Sequence, residues 1–516
     1  MNGEPKKWMI AITVMLPTLM VVVDTSVVNV ALAHIRGSLS AGIDEATWSI
    51  TSYLAANAVV IPMTGWLSRL FGRKRYFVAS IVLFTVSSLF CGLAWNIESL
   101  VFFRVLQGAA GGSLQPISQS VLLESFPRSQ HGIAMAIYGG GVMFGPIIGP
   151  LLGGWITDNW SWHWIFFVNI PIGMVCVLLT LAFIFDPSYM RRTKMRIDYL
   201  GLFFLALWVG ALQMVLDRGQ GKDWFSSELI LWLAIVSVIA FGLFLIYEKY
   251  AQSPIVDLHI LKNYSFTIGA GVMFFLMMNL FGSIVLLPVY VQNLMGYTAF
   301  LAGMVLAPGG ISSLFAMVVA GILVSRVNPK IIAVTGIALV AYSTWLMSGF
   351  SLHADFRAIL WPRVVMGIGM GFAFIPMTTL SLSHLPRAMM ANATSVFNLI
   401  RMIGGSFGVA ISATILTRRA QFHQSRLGEH LTPFDFPYTE GFSGMTRVLE
   451  NRGLGSQAAE NVAGGALYEE LLRQSSMFSF NDVFFSLSVA LILMIPLIFL
   501  MKHSRGEDEP ATATAE

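Results

Sequence analysis

The chain has 516 residues, 56% of them hydrophobic and 11% charged, with a mean hydropathy of +0.72. A soluble domain carries about 25% charged residues, so this chain cannot clothe a water-facing surface and must use lipid as its solvent. The net charge of +4 is small and no nucleic-acid partner is expected. Cys91 and Cys176 both sit in apolar runs, and the nine His are scattered with no i,i+4 pair, which excludes a disulfide framework, a C-x-x-C site and a His-built metal centre.

Lys6 and Lys7 precede the first apolar run, and Ala31-Leu32-Ala33 mimics a signal cleavage site. The run from Trp8 to Ile35 is nevertheless longer than a signal core of roughly 7–15 residues, and it contains Asp24. It reads as a first membrane span. Continuous apolar runs of about 20 residues dominate the rest, and only helices or closed barrels satisfy their backbone groups in lipid. The spans are therefore helices, expected at 9–34, 46–67, 76–95, 99–123, 132–157, 162–185, 198–217, 228–248, 265–291, 301–324, 331–351, 357–382, 390–416 and 481–501.

Lys and Arg flank membrane spans preferentially on the cytoplasmic side. With both termini inside, 18 of the 31 fall in inner segments: Lys6, Lys7, Arg69, Arg73, Lys74, Arg75, Arg128, Arg191, Arg192, Lys194, Arg196, Lys249, Lys262, Arg326, Lys330, Arg387, Lys502 and Arg505. The short outer loops hold only Arg36, Arg218, Lys222 and Arg357. This bias supports an even number of spans. Residues 417–480 are polar, with Pro433 and Pro437, and are expected to be an outer loop with short surface helices, for example around Gln457–Gln474. The acidic, then Ala/Thr-rich tail from Gly506 to Glu516 has the composition of disorder.

An internal repeat organises the spans. Gly65-Trp-Leu-Ser-Arg-Leu-Phe-Gly-Arg-Lys74 follows span 2, and Gly321-Ile-Leu-Val-Ser-Arg-Val-Asn-Pro-Lys330 follows span 10. Arg104-Val-x-x-Gly108 and Arg363-Val-x-x-Gly367 come next, and glycine-rich spans follow both. Four matches in order imply two six-span halves with spans 7 and 8 inserted between them. Transporters built from parallel repeats hold their substrate between the halves. The expected units are 1–185, a first six-helix bundle; 186–264, two linker helices; 265–501, a second bundle carrying the loop 417–480; and 502–516, a disordered tail.

At these residues the chain resembles the major facilitator superfamily, and within it the fourteen-span drug:proton antiporters of the EmrB/QacA type. Gly65–Arg75 resembles the family's loop after span 2, and Arg104-Val-Leu-Gln-Gly108 its span 4 motif. Gly141-Val-Met-Phe-Gly-Pro-Ile-Ile-Gly-Pro-Leu-Leu-Gly-Gly154 resembles the span 5 antiporter motif, and Asp24-Thr-Ser-Val-Val-Asn-Val-Ala-Leu32 the span 1 motif of drug antiporters. Trp162-His-Trp-Ile-Phe-Phe-Val-Asn-Ile-Pro-Ile-Gly173 opens span 6 as that subfamily does. Leu216-Asp-Arg-Gly219, Asp223-Trp-Phe-Ser226 and Pro254-Ile-Val-Asp257 are similar to the EmrB branch. The resemblance implies an all-α integral membrane protein with the major facilitator fold: two six-helix bundles in parallel repeat plus two inserted helices.

Asp24 is the only acidic residue deep inside spans 1 to 6. A carboxylate in lipid is costly and tends to have a role. A low dielectric favours its protonated form and a nearby cation the ionised form, so it suits proton carriage; the bland alternative is a group that pins helix packing. Arg104 is its expected partner. At about 1.5 Å per residue, their depths in the outer half of the bilayer differ by about 8 Å. The family's span 4 Arg is implicated in proton coupling; snorkelling to the surface is the other option. Arg363 has no evident acidic partner, because Asp24 maps near Phe281, with Asn279 and Ser283 the nearby polar groups. Asn57, Gln107, Gln115, Gln119, Asn279, Asn398 and Arg401 are substrate-pocket candidates, since polar side chains seldom face lipid. Arg401 either holds a helix carbonyl or water, or contacts an anionic part of a substrate.

Gly141, Gly145, Gly149 and Gly153 make a strip without side chains, and Pro146 and Pro150 favour bends. Such a helix is able to seal or pivot between the halves, and the family associates it with export. Gly65, Gly72, Arg73 and Lys74 match the family's cytoplasmic gate loop, but Arg69 stands where that loop usually has Asp and Leu70 where it has Arg, which removes the usual latch pair.

The expected function is proton-driven export of amphipathic or lipophilic drugs or toxic compounds across the inner membrane by alternating access. Nothing resembles a P-loop, and no cofactor or enzymatic constellation is evident. The resemblance implies a periplasmic adaptor protein and an outer-membrane channel as partners. A proton-coupled importer of a small metabolite, or an exporter of a fatty acid, bile salt or siderophore, would share the architecture.

Overall fold

The computed structural model describes residues 4–186, 198–251, 254–382, 385–386, 389–429, 431–432 and 434–501. Arg191, Arg192, Lys194, Arg196, Arg387, Pro433, Lys502, Arg505 and the tail Gly506–Glu516 lie outside the described residues. The first bundle comprises α1 (Glu4–Ser38), α2 (Ile43–Phe71), α3 (Arg73–Gly92), α4 (Ile97–Gly111), α5 (Leu114–Ser125), α6 (His131–Asn159), α7 (Trp164–Phe167) and α8 (Asn169–Phe183). Two helices follow, α9 (Tyr199–Arg218) and α10 (Glu228–Tyr250). The second bundle has α11 (Tyr264–Asn293), α12 (Ala299–Leu323), α13 (Pro329–Met347), α14 (Phe356–Leu382), α15 (Met390–Gly428), α16 (Phe436–Asn451), α17 (Ser456–Ile492) and α18 (Ile495–Phe499).

Twelve helices among the described residues are long and apolar enough to cross a membrane. The expected spans 4 and 5 are outside that set and correspond to α4 with α5, and to the 29-residue α6. Side chains start many of the helices. Asn96, Asp198, Asn263, Thr298 and Asn328 each accept a backbone N–H of the first turn of α4, α9, α11, α12 and α13, supplying partners that lipid cannot.

Three expected spans are broken. Span 4 splits at Gly111-Gly112-Ser113, where Pro116, lacking an N–H, stands in the first turn of α5. Span 6 splits at Val168, because Pro171 cannot donate to the carbonyl of Phe167. At the far end, Pro496 separates α18 from α17.

In the region 417–480, expected as a loop with short surface helices, α16 is such a helix and 457–474 is helical, but the latter belongs to a long extension of α17, and α15 has a long extension too. No proline interrupts Met390–Gly428 or Ser456–Ile492, so α15 and α17 run on past the bilayer as helices of 39 and 37 residues. At about 1.5 Å per residue each exceeds the ~30 Å hydrocarbon layer. Asp482 ties the pair together: it accepts from Arg419 Nε (2.5 Å) and lies 2.7 Å from His423 Nε2. Amphipathic α16 packs on α17. This hairpin marks one face of the protein, the hairpin face. The opposite face carries the Phe71–Arg73 turn, where Gly72 adopts φ +86°, a conformation that favours glycine; we call it the turn face.

The repeat is visible in packing. In the first bundle α1 packs on α6, α2 on α4, and α3 on α4 and α8; in the second, α11 packs on α15, α12 on α14, and α13 on α14 and α17. The bundles meet through α2 with α15 and α6 with α12, a pair of equivalent contacts. Helix α9 bridges them from the side. Asp217 accepts from Thr51 of α2 (2.5 Å), and Gln213 accepts from Ser406 of α15 (3.0 Å).

Candidate functional site

Asp24, halfway along α1, points into the first bundle and is 2% exposed. Its Oδ2 accepts from Arg104 Nη1 on α4 at 2.7 Å. Its Oδ1 accepts from Gln107 Nε2 (2.9 Å) and from Asn169 Nδ2 (2.8 Å). Arg104 is fully buried: Nη1 also donates to Gln107 Oε1 (2.7 Å), Nε donates to the Ser49 carbonyl (3.0 Å), and the guanidinium lies 4.1 Å from the centre of the Tyr53 ring. Asn169 in turn donates to Ser88, which donates to the Phe166 carbonyl. Each polar group near the carboxylate is therefore oriented by another. The Pro171 break helps present Asn169, at the first residue of α8, to Asp24.

Depth along the spans thus places Asp24 and Arg104 together correctly. Gln107, expected in a substrate pocket, joins this charge cluster. Asn169 was missed among the candidates, although the criterion that singled out the glutamines, a polar side chain in an apolar run, applies to it equally.

The second bundle repeats the site without its charge. At an offset of 259 residues (104 to 363), Asp24, Arg104 and Gln107 map onto Ser283, Arg363 and Met366. Arg363 Nη1 donates to Ser283 Oγ (3.3 Å) and lies 3.1 Å from Met366 Sδ, while its Nε has no partner among the described residues. Asn279 sits elsewhere in this bundle, where its Nδ2 approaches Thr344 Oγ1 (3.4 Å) and the Leu487 carbonyl (3.3 Å).

A second polar cluster joins the bundles. Arg401 on α15 donates through Nη2 to Gln115 Oε1 of α5 (2.7 Å) and to Tyr138 of α6 (3.3 Å). Asn398 donates to Gln119 Oε1 (2.6 Å) and accepts from Tyr138 (3.2 Å). The Arg401 guanidinium is 5.8 Å from the ring centres of Tyr138 and Phe374, and its buried Nη1 has no partner among the described residues. Gln115, Gln119, Asn398 and Arg401 are thus brought together as one inter-bundle cluster. Asn57 is not part of it; it packs against Gly111 and Gly112.

The glycine strip on α6 faces α1. A Cβ on Gly141, Gly145, Gly149 or Gly153 would meet Met15, Val22, Ser26 or Val27 within 3.1 Å. It lets α6 lie against the helix that carries Asp24. The side chains of Pro146 and Pro150 lie outside the described part. Other glycines of α6 face the second bundle: a Cβ on Gly132 would be 2.6 Å from the Gly321 carbonyl, and one on Gly139 would be 3.0 Å from Met317 Sδ.

At the turn face, Arg73 Nη1 pairs with Glu124 Oε2 (2.6 Å) at the end of α5, and Lys74 Nζ donates to the Leu181 carbonyl (2.7 Å). These contacts stay within the first bundle. Closure between bundles falls on the first glycine of each repeated motif. A Cβ on Gly65 would lie 2.9 Å from Asn392 Cα, and one on Gly321 would lie 2.8 Å from the Gly132 carbonyl. The repeat conserves these points as crossings of backbone on backbone.

Two pseudo-equivalent helical bundles that meet around buried polar clusters define a membrane transporter, and the chain belongs to the major facilitator superfamily, whose model matches residues 14–409. It is similar to the fatty acid resistance protein FarB of Neisseria gonorrhoeae, 34% identical with 98% of each chain covered. It is also similar to the multidrug export protein EmrB of Escherichia coli (strain K12), 36% identical over 96% of this chain and 95% of that protein. Among solved structures, the human organic anion transporter MFSD10 (TETRAN) aligns with TM-score 0.61 at 10% identity, covering 95% of this chain and 99% of that one. The proton:xylose symporter XylE aligns at 0.58 and 13%, over 97% and 100%. At such identities the two structures share the fold.

Proposed function

We propose that this chain is a proton-driven antiporter that exports amphipathic compounds across the inner membrane by alternating access, with the turn face and both termini in the cytoplasm. The observation that carries the reading is the buried Asp24–Arg104 pair with its Gln107 and Asn169 donors. A proton arriving at Asp24 removes the charge that holds Arg104. The loss of that attraction, beside a helix α6 that packs on α1 through glycines, supplies a local event able to bias two arrangements of the bundles. Full-length similarity to a multidrug export protein supports drug-like cargo. The excess of Lys and Arg at the turn face supports the orientation. The protein acts as the permease of a three-part system with a periplasmic adaptor protein and an outer-membrane channel, and the α15–α17 hairpin gives such an adaptor a surface to hold. Cells carrying the protein are expected to accumulate less of a fluorescent lipophilic dye than cells without it, and an uncoupler should erase the difference. Dye accumulation above the control would mean uptake and overturn the reading.

One observation favours an anionic group on the cargo. Arg401 is buried between the bundles, and no carboxylate among the described residues pairs with it. A guanidinium stays charged, so its free Nη1 suits a carboxylate, with Phe374 and Met317 nearby for an apolar tail. Similarity to a fatty acid resistance protein agrees with this class. A charge-assisted hydrogen bond contributes about 1.5–3 kcal/mol, so Arg401→Gln should lower transport of a carboxylated amphiphile in proteoliposomes about tenfold or more and spare a lipophilic cation. Equal loss for both probes would remove this assignment.

A further inference from the structure

The two inserted helices carry a pair of buried acids that the Asp24 site does not use. Asp198 begins α9, is 8% exposed, and accepts from the Gly201 N–H through Oδ1 (2.9 Å). Glu248, near the end of α10, is 4% exposed and accepts from the Val256 N–H through Oε1 (2.5 Å). The other oxygens, Asp198 Oδ2 and Glu248 Oε2, have no partner among the described residues. Both converge on Gly201: a Cβ there would lie 2.5 Å from Asp198 Oδ2 and 3.0 Å from Glu248 Oε2. The surroundings include buried Leu205, Phe244, Ile255 and Val256.

Two carboxylates facing each other in a dry place do not both stay ionised. The Tyr247 hydroxyl hydrogen-bonds Asp198, but no donor among the described residues reaches Asp198 Oδ2 or Glu248 Oε2. Among the described residues, the titratable or charged groups on the elements around the pair are Tyr199, Tyr247, Lys249, Arg69, Asp257, His259 and Lys262. None of the cations forms an ion pair with either acid among the described residues. Exposed Lys249 lies over Tyr250, Arg69 lies toward Asp257, and His259 contacts Asp257.

We propose that Asp198 and Glu248 are a second proton-binding site, holding one shared proton while the turn face is closed and losing it as that face opens. The link to closure is covalently short. Glu248 holds Val256, and the next residue, Asp257, exchanges hydrogen bonds with Asn392: its N–H donates to Asn392 Oδ1 (3.4 Å), and its carbonyl accepts from Asn392 Nδ2 (3.1 Å). Asn392 is the residue whose backbone meets Gly65 of the other bundle. With the proton present, the pair carries a single negative charge, and α9, α10 and the segment after them stay together. Without it, two buried charges repel and loosen the strap that reaches Asn392. The closed state therefore binds the extra proton, and rising pH favours opening.

The test uses the full-length protein in nanodiscs with spin labels on Arg75→Cys and Arg326→Cys, both exposed at the turn face; Cys91 and Cys176 are buried. The inter-label distance should lengthen as pH is raised. Glu248→Gln and Asp198→Asn each replace the proton by an amide donor, and Asn keeps the helix cap. Both variants should hold the short distance to a pH higher by about one unit or more. Infrared difference spectra should show a protonated-carboxyl band that Glu248→Gln removes. Unchanged alkaline widening in both variants, or a spectrum that Glu248→Gln does not alter, would overturn the proposal.

Discussion

Asp24→Asn is expected to abolish proton-driven export while the protein still folds and still binds cargo. Asn has nearly the shape of Asp and still offers an oxygen to Arg104, Gln107 or Asn169, but it cannot take up or release a proton. The guanidinium of Arg104 then lies buried without its counter-charge, and breaking one side of a buried pair typically costs about 3–5 kcal/mol. Part of that cost falls on stability and part on whichever arrangement of the bundles keeps Arg104 most enclosed. Transport driven by a pH gradient in proteoliposomes should fall about a hundredfold or more, since every ~1.4 kcal/mol is a factor of ten. Downhill exchange of cargo without a gradient should fall much less. A variant that still expels drug in a proton-dependent way would show that Asp24 is a packing group, and the coupling role would pass to another site.

The parts of the molecule legible in the sequence are those on which lipid imposes a rule. Backbone groups must pair within a helix, so the apolar runs gave the spans. A carboxylate must find a partner, so depth together with the family's span 4 Arg points from Asp24 to Arg104. The repeated motifs gave the two halves, and the offset that joins Arg104 to Arg363 also pairs Asp24 with Ser283. What escaped was set by three-dimensional direction. Gln107 sits one turn from Arg104, and only its rotamer decides between a cargo pocket and the carboxylate of Asp24. The glycine strip of α6 announces a close approach but not to which neighbour; the structure turns it to α1, and Gly132 and Gly139 to the other bundle.

Outside lipid the rule lapses, and there the lengths of α15 and α17 are not set by it. Polar composition in 417–480 suggests a loop with short surface helices, because inside a membrane polarity marks the end of a helix. In water a polar helix is permitted, and without proline α15 and α17 simply continue. The same limit explains the breaks at Val168 and beyond Ile492: Pro171 and Pro496 were visible, but a span that kinks and one that stops look alike as strings of apolar residues.

Gly65→Leu should have the largest effect on which face is open. A Cβ on Gly65 would meet Asn392 Cα at 2.9 Å, its N at 3.0 Å and Ala391 C at 3.2 Å. These are backbone atoms of α15, which cannot rotate aside as a side chain does. Only separation of α2 from α15 relieves the overlap, and those two helices form one of the equivalent contacts between the bundles. Forcing extra atoms into packed contacts costs about 1–3 kcal/mol. Here the cost applies to the closed turn face alone, so the balance of states should move about 5- to 150-fold toward opening. Thr394→Cys, fully buried at this interface, reports on it. In the Gly65→Leu background a water-soluble maleimide should modify that cysteine at least tenfold faster, and gradient-driven transport should fall with it. Gly154→Leu is the control, since nothing lies within 4 Å of its Cβ position. Protection of the cysteine equal to that in the Gly65 parent would mean that the first glycine of the repeated motif is not the crossing that seals the turn face.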